Sequence, residues 1–406
     1  MRCIVLAGGY DQIALIEELK ERGAEVILID FFSNPPAKFI ADKHYQVSTL
    51  DVVKVKKIAI AEKVDLITTA CTDQALLTMS QVSEELMLPC YISYKTALNV
   101  TNKFYMKEKM IKNNIPTSKY VALNSLDIYM LSELNFPMVV KPADCNSSKG
   151  VKRVDSMIDL KYALSNALKL SRTGMAIVEE FKKGKEFSID VYVYNGKAKI
   201  LAITESKKIK YNGAFTIFQS RYPIEMNEEI KFKIEDIIQR ISKVFKIDNS
   251  PLLIQAISDG KEVNVLEFSA RMGGGTKYKL IEILSGVDIM KVYVDRILGK
   301  KPYVSCLNKV KFANLNYCYC KPGIFDKLIN FKEMKEQGII QDYFQYKTQG
   351  MEIIKSETSA DRVAGYLLIG GTMEELLRKQ SIAAQKLKII SNKGEDLFLR
   401  ELIKNN

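Results

Sequence analysis

From Arg2 to Leu86, apolar runs of strand length alternate with amphipathic stretches of helix length, and this alternation is what most restricts the fold. "RCIVLAGG" reads as a strand and turn, and "DQIALIEELKERG" as a helix closed by Gly23. "AEVILIDF" is a second strand ending at Asp30, "DVVKVKKIAIAEK" a helix, "VDLITTA" a strand and "DQALLTMSQVSEEL" a helix. Consecutive parallel strands need crossover helices, so the pattern predicts a doubly wound parallel sheet. Gly8-Gly9 follows the first strand, but the remaining glycines of a dinucleotide fingerprint are missing. Asp30 suits a ribose ligand or a plain strand-end turn.

From about Tyr91 the texture changes. "SYKTALNVTNKFYMKEKMIKNNI" reads as helix broken around Asn99–Asn102. "MIDLKYALSNALKLS" and "NEEIKFKIEDIIQRISKVF" read as helices, and "GMAIVEEFKKGKEFSIDVYVYNGKAKILAITES" as several strands turning at Asn195-Gly196. "SPLLIQAISDGKEVNVLEFSAR" reads as a hairpin turning at Asp259-Gly260, and the middle of the chain as α+β with antiparallel strands. The last hundred residues mix strands with a helix, "TMEELLRKQSIAAQKLKII".

The net charge of +12 raises a nucleic-acid reading, but the lysines are interspersed with Glu and Asp, as on a solvated surface. Seven scattered cysteines, with one close pair at Cys318 and Cys320, suit reduced core residues better than a zinc site. No apolar run is long enough to span a membrane, and "MRCIVLAGG" reads as a first strand, so a cytoplasmic protein is expected. The single histidine, His44, is read as a surface residue without a role.

Three stretches carry chemistry. In "FPMVVKPADCNSSKGV" an apolar strand ends at Lys141 and empties into Ser147, Ser148, Lys149 and Gly150. Such a loop offers a cation, hydroxyls and backbone N–H groups to phosphate oxygens, or is simply a structural turn. In "IVEEFKKGKEFSID", Glu179 and Glu180 lie at a strand end and Glu186 follows; these acids suit an adenine amino group and a ribose hydroxyl, or a charged hairpin end. In "LLIQAISDGKEVNVLEFSARMGGGTKY", Gln255 and Glu267 fall on adjacent strands where they can face one side, as oxygen ligands for Mg²⁺. Arg271 is placed to stabilise charge on a transferring phosphoryl group. Gly273-Gly274-Gly275 would bring backbone amides close to a ligand.

On these three stretches the chain resembles the ATP-grasp superfamily, most closely the branch of biotin carboxylase, the carbamoyl phosphate synthetase large subunit and L-amino acid ligases. The resemblance implies an α/β and α+β ATP-grasp fold: an N-terminal α/β domain over 1–100, an ATP-grasp domain over 101–305 with a mobile lid near 117–180, and a small C-terminal α+β domain over 306–406. It implies ATP and Mg²⁺ (or Mn²⁺) as cofactors. Lys103, Lys141, Ser147, Ser148, Lys149 and Gly150 would then meet the phosphates, and Glu179, Glu180 and the backbone of Phe181 the adenine. Glu186 would bind the ribose, Gln255, Glu267 and Ser269 the metal, and Arg271 the acyl phosphate. Glutamine at position 255 and serine at position 269 depart from the family's usual acid and asparagine; the second touches the second metal site.

The implied reaction is ATP-dependent carboxylate–amine ligation through an acyl phosphate, releasing ADP and phosphate. Alternatives are a ligase joining an amino acid to a sugar acid, a carbamoyl- or acyl-phosphate-forming synthetase subunit, an inactive ATP-binding regulator, and a dehydrogenase using the first domain. Expected partners are small-molecule carboxylates and amines and a possible second copy, with neither nucleic acid nor membrane. "LNSLDIYM" and "YNGAFTIFQSRYP" are candidate lid and substrate-loop segments, and Arg221 and Lys277 suit a substrate carboxylate or a solvated surface equally.

Overall fold

A computed structural model describes residues 1–209, 215–301, 304–307, 310–354 and 358–404, with side chains to residue 402. Part of the candidate substrate loop, residues 211–214, lies outside the described residues.

The first strand–helix alternation folds as expected. β1 (Arg2–Leu6), α1 (Asp11–Glu21), β2 (Glu25–Asp30), β3 (Lys43–Gln46), α2 (Val52–Ala61), β4 (Leu66–Thr68) and α3 (Asp73–Glu85) form a parallel sheet in the order β3-β2-β1-β4 with crossover helices. β3, which carries half-buried His44, has no apolar run to announce it; pairing to β2 makes it a strand. The break in the next helical stretch falls at Asn102, between α4 (Tyr94–Thr101) and α5 (Lys103–Lys112). Its backbone is extended, and its side-chain oxygen accepts from Phe104 N at 2.9 Å, capping α5.

β5 (Tyr120–Leu123), β6 (Met138–Pro142), β7 (Lys152–Val154), α6 (Met157–Leu170) and β8 (Ala176–Glu180) build a small antiparallel sheet in the order β5-β8-β6-β7. It packs on a core of its own, with Leu160, Leu164 and Ala167 of α6 against Val140 and Val178.

The larger sheet begins with β9 (Lys185–Tyr194) and β10 (Lys197–Lys208), which turn at Asn195-Gly196, both with positive φ as a tight hairpin turn requires. β11 (Ile217–Tyr222), α7 (Glu228–Phe245), β12 (Ser250–Ser258) and β13 (Val263–Ser269) follow. α7 buries Ile230, Ile234, Ile237, Ile238, Ile241 and Phe245 at helical spacing, at about 1.5–3 kcal/mol each. The turn after β12 takes four residues rather than two, because Asp259 Oδ1 accepts from Lys261 N and Glu262 N, both at 2.9 Å.

α8 (Lys277–Ser285) and α9 (Ile289–Ile297) precede β14 (Phe312–Cys318), β15 (Gly323–Ile329), α10 (Phe331–Glu336), β16 (Asp342–Gln345), β17 (Glu352–Ile353), β18 (Ala364–Gly370), α11 (Met373–Lys386), β19 (Lys388–Ser391) and α12 (Glu401–Lys404). The expected C-terminal helix stops at Lys386: Lys388–Ser391 instead pairs with β15, where Ile389 and Ile390 bury. β14, β18 and β16 extend the large antiparallel sheet, whose order is β13-β12-β9-β10-β11-β14-β18-β16, so one sheet runs across position 306. All seven cysteines are free, and among the described residues no helix is long and apolar enough to cross a membrane.

Candidate active site

The three chemistry-bearing stretches meet in one cleft between the small sheet and the β12–β13 end of the large one. Lys103, Lys141, Ser147, Ser148, Glu179, Glu180, Phe181, Glu186, Gln255 and Glu267 all line it. Its apolar walls come from both sheets, Val139 and Val151 on one side and Ile257 and Leu266 on the other. The sequence did not single out these four, because a cleft wall looks like any strand residue.

Gln255 and Glu267 are register partners across β12 and β13, so both side chains leave the same face. Lys103 Nζ stands 3.3 Å from Glu267 Oε2 and donates to the Cys145 carbonyl at 2.6 Å, while its backbone N donates to Ala143 O at 2.7 Å. The first turn of α5 thus anchors the strand-end loop.

Lys141 does not stand alone at its strand end. Its Nζ lies 2.5 Å from Glu179 Oε1, and Lys107 Nζ lies 2.6 Å from Glu179 Oε2. All three side chains are buried. Burial alone would raise the Glu179 carboxyl, but the two lysine charges outweigh it and hold it at about 2. Burial lowers Lys107, Glu179 opposes that, and the group settles at about 8. The Glu179 carboxylate therefore holds lysines instead of presenting itself to an adenine amino group. Lys107 was missed by the sequence reading, although it sits one helical turn beyond Lys103 on the same face.

The Phe181 N–H donates to Pro137 O at 2.9 Å, which leaves its carbonyl for recognition of a base, and Arg153 lies over its ring at 4.6 Å. Glu180 is half-buried, 3.7 Å from Lys182. Glu186 forms an ion pair with Lys208, which also lines the cleft. In the loop, Ser147 and Ser148 both take positive φ. Ser148 Oγ donates to Phe215 O at 3.3 Å, and Ser147 O accepts from Ser359 N at 3.3 Å, so the loop tip reaches two other segments. Lys149 is exposed and does not line the cleft. Gly150 has φ +74°, and a Cβ there would stand 2.7 Å from Leu170 Cδ1 and 2.8 Å from Pro142 Cγ.

Arg271 reaches from the end of β13 to the first residue of α3. Its Nε donates to Asp73 Oδ1 at 2.6 Å, its Nη2 donates to Asp73 Oδ2, and its Nη1 donates to Met272 O at 2.7 Å. Burial raises the Asp73 carboxyl, but the Arg271 charge and its hydrogen bonds take it below its ordinary value. Ser269 is buried beside Asp73, in a small polar recess that also holds Glu267, Gln255 and Lys103. Nothing in the sequence ties Asp73 to Arg271.

Two expectations change. The glycine run faces the start of α1: Gly275 N and Thr276 N donate to the two oxygens of Asp11 at 2.9 and 2.7 Å. A Cβ on Gly275 would stand 2.3 Å from Arg362 Nη1, so glycine there permits close packing between segments. Lys277 is neither solvated nor open to a substrate: it is buried, with Nζ 2.5 Å from Thr204 Oγ1 and 3.4 Å from Asp190 Oδ2.

The donor set fits Mg²⁺ of the phosphate-bridged kind. Among the described residues no three His, Cys, Asp or Glu side chains cluster to hold an ion alone. Glu267 and Gln255 supply two oxygens on one face, and Mg²⁺ ordinarily takes one or two protein groups together with substrate phosphates.

Comparison with known proteins agrees with this geometry. Residues 134–279 match the ATP-grasp domain. A formate-dependent phosphoribosylglycinamide formyltransferase of Maridesulfovibrio salexigens is 27% identical over 184 residues, 44% of this chain and 47% of that protein. The chain spans about half the length of the curated relatives it matches. The L-amino acid ligase of Bacillus licheniformis superposes with a TM-score of 0.79 at 20% identity, over 96% of this chain and 98% of that one. The biotin carboxylase domain of the Hydrogenobacter thermophilus 2-oxoglutarate carboxylase, solved with MgADP and bicarbonate, superposes with a TM-score of 0.80 at 15% identity, over 100% of this chain and 93% of that one. With its small antiparallel sheet facing the large one across a lysine- and acid-lined cleft, this chain has the ATP-grasp fold, and residues 134–279 of it match the ATP-grasp domain.

Proposed function

We propose that this chain is an ATP-dependent carboxylate–amine ligase that works through an acyl phosphate and releases ADP and phosphate. The observation that carries the reading is the convergence of Lys103, Lys141, Glu186, Gln255 and Glu267 on one cleft with apolar walls. The units are residues 1–100, 101–305 with a lid near 117–180, and 306–406; the separate core of the small sheet supports that lid.

In this reading the adenine lies between Val139 and Val151 on one wall and Ile257 and Leu266 on the other, near the Phe181 carbonyl. Glu186 meets the ribose. Lys103 and Lys141 face the phosphates, and the loop from Ser147 to Gly150 closes over them. Gln255 and Glu267 hold Mg²⁺, which when bound offsets phosphate charge. A substrate carboxylate oxygen attacks the γ-phosphorus, the bond to the bridging β–γ oxygen breaks, and ADP leaves. The amine then attacks the acyl carbon, loses a proton and expels phosphate. Arg271, fixed by Asp73, faces the charge on the acyl phosphate and on the tetrahedral species that follows. The closed loop keeps water from that intermediate. We place the enzyme in the cytoplasm, as its seven free thiols suit, acting on small molecules as a homodimer.

The test is ATP consumption with Mg²⁺ and pools of amino acids, then sugar acids, with the nucleotide product identified. ADP and phosphate appearing with one carboxylate–amine pair is expected. AMP and pyrophosphate would refute the phosphoryl-transfer route.

A further inference from the structure

We infer that Lys107 is a positioning residue: it stays with Glu179 as a resident counter-ion, which frees Lys141 to turn to the nucleotide phosphates. The inference rests on the proposed ATP site.

Lys107 does not line the cleft, whereas Lys103 and Lys141 do. It is almost fully buried. Its other fixed partner is Thr117, whose Oγ1 accepts from Nζ at 2.7 Å and donates to Val265 O at 2.8 Å. The Tyr120 ring lies 5.4 Å from the same nitrogen. This cation is therefore held among α5, the segment before β5 and β13, and it does not line the cleft.

Glu179 has the opposite geometry. Each of its two oxygens meets a different lysine, and of the two only Lys141 lines the cleft. The carboxylate is buried and remains ionised well into the acid range, so it always requires a cation beside it. With a single lysine partner, drawing Lys141 toward a phosphate would strand that charge in a dry site. With Lys107 in place, Lys141 leaves a pair behind and carries its own charge to the ligand. The three groups together supply one movable positive charge without an uncompensated negative one.

The test is a double-mutant cycle with two readouts. The first needs no nucleotide. Glu179→Gln leaves two buried ammonium groups without a carboxylate, whereas Lys107→Met with Glu179→Gln leaves one. The double variant is therefore expected to melt above the Glu179→Gln single variant. If Lys107 serves only by packing, its removal lowers the melting temperature in either background, and the inference fails.

The second readout is the dissociation constant for a non-hydrolysable ATP analogue with Mg²⁺. Lys107→Met is expected to weaken binding by about a hundredfold, because Glu179 then captures Lys141. Adding Glu179→Gln should bring affinity back to within about tenfold of wild type. Unchanged binding in Lys107→Met, or no recovery in the double variant, overturns the inference. Should Lys107→Met fail to fold, the double variant decides: it is expected to fold and to bind within about tenfold of wild type, and a double variant that binds about a hundredfold more weakly is the contrary result. Wild-type protein that does not bind the analogue would instead refute the ATP site itself, leaving the melting comparison to judge the lysine pair.

Discussion

Glu179 shows how little a residue's role is fixed by its neighbours in sequence. In "IVEEF" it looks like a strand-end acid open to a ligand, yet its partners come from α5 and β6. The lysine charges lower its carboxyl to about 2, against an ordinary 4.5. Because the folded value is depressed, its contribution to stability is complete above about pH 4.5 and is lost as pH falls through about 2. The gap corresponds to roughly 3 kcal/mol. Urea unfolding at a series of pH values should show wild type and Glu179→Gln converging over that window. A constant difference between them down to pH 2 would mean that the carboxylate is not held ionised by the lysines. Lys141 was legible in the sequence because its strand empties into a polar loop, Glu267 because it falls opposite Gln255 on an adjacent strand, and Lys103 through the family resemblance. Lys107 and Asp73 were not: each acts through a partner brought in by the fold, Asp73 through an arginine 198 positions away.

At the scale of elements, strands with an apolar run and helices with a clear period were legible, including the break at Asn102 and the hairpin at Asn195-Gly196. Elements made by pairing were not, such as β3 and β19, which are four residues each and take their form from a neighbouring strand. The strand-end loop illustrates both sides. Its chemistry reads directly as Ser-Ser-Lys-Gly, but only the fold shows that Gly150 is needed for its positive φ and for contact with Pro142 and Leu170. Gly150→Ala should therefore loosen the β6–β7 pairing without unfolding the protein, because the small sheet has its own core. Amide exchange at Lys152–Val154 is expected to quicken by about tenfold or more. Unchanged protection there would show that the turn tolerates a side chain.

Across the whole molecule, the first residues of α1 and α3 tie the N-terminal unit to the segment that follows β13. Asp73 holds Arg271, and Asp11 accepts from the amides of Gly275 and Thr276. This explains why the glycine run seemed to announce a ligand: glycine permits close approach, and here another segment of the chain makes that approach. The alternation of the first hundred residues made the parallel sheet legible, whereas the continuity of the large sheet past position 306 depends on β11 pairing with β14 and had no local signal. The most direct measurement is calorimetric titration of wild type and Lys141→Ala with Mg²⁺ and an ATP analogue. Since Lys107 remains with Glu179 when Lys141 is removed, the variant should keep its fold and melt near wild type. We predict that wild type binds one nucleotide and that Lys141→Ala binds at least about tenfold more weakly. Equal affinity in the two proteins, with both folded, would contradict the assignment of this cleft to the nucleotide phosphates.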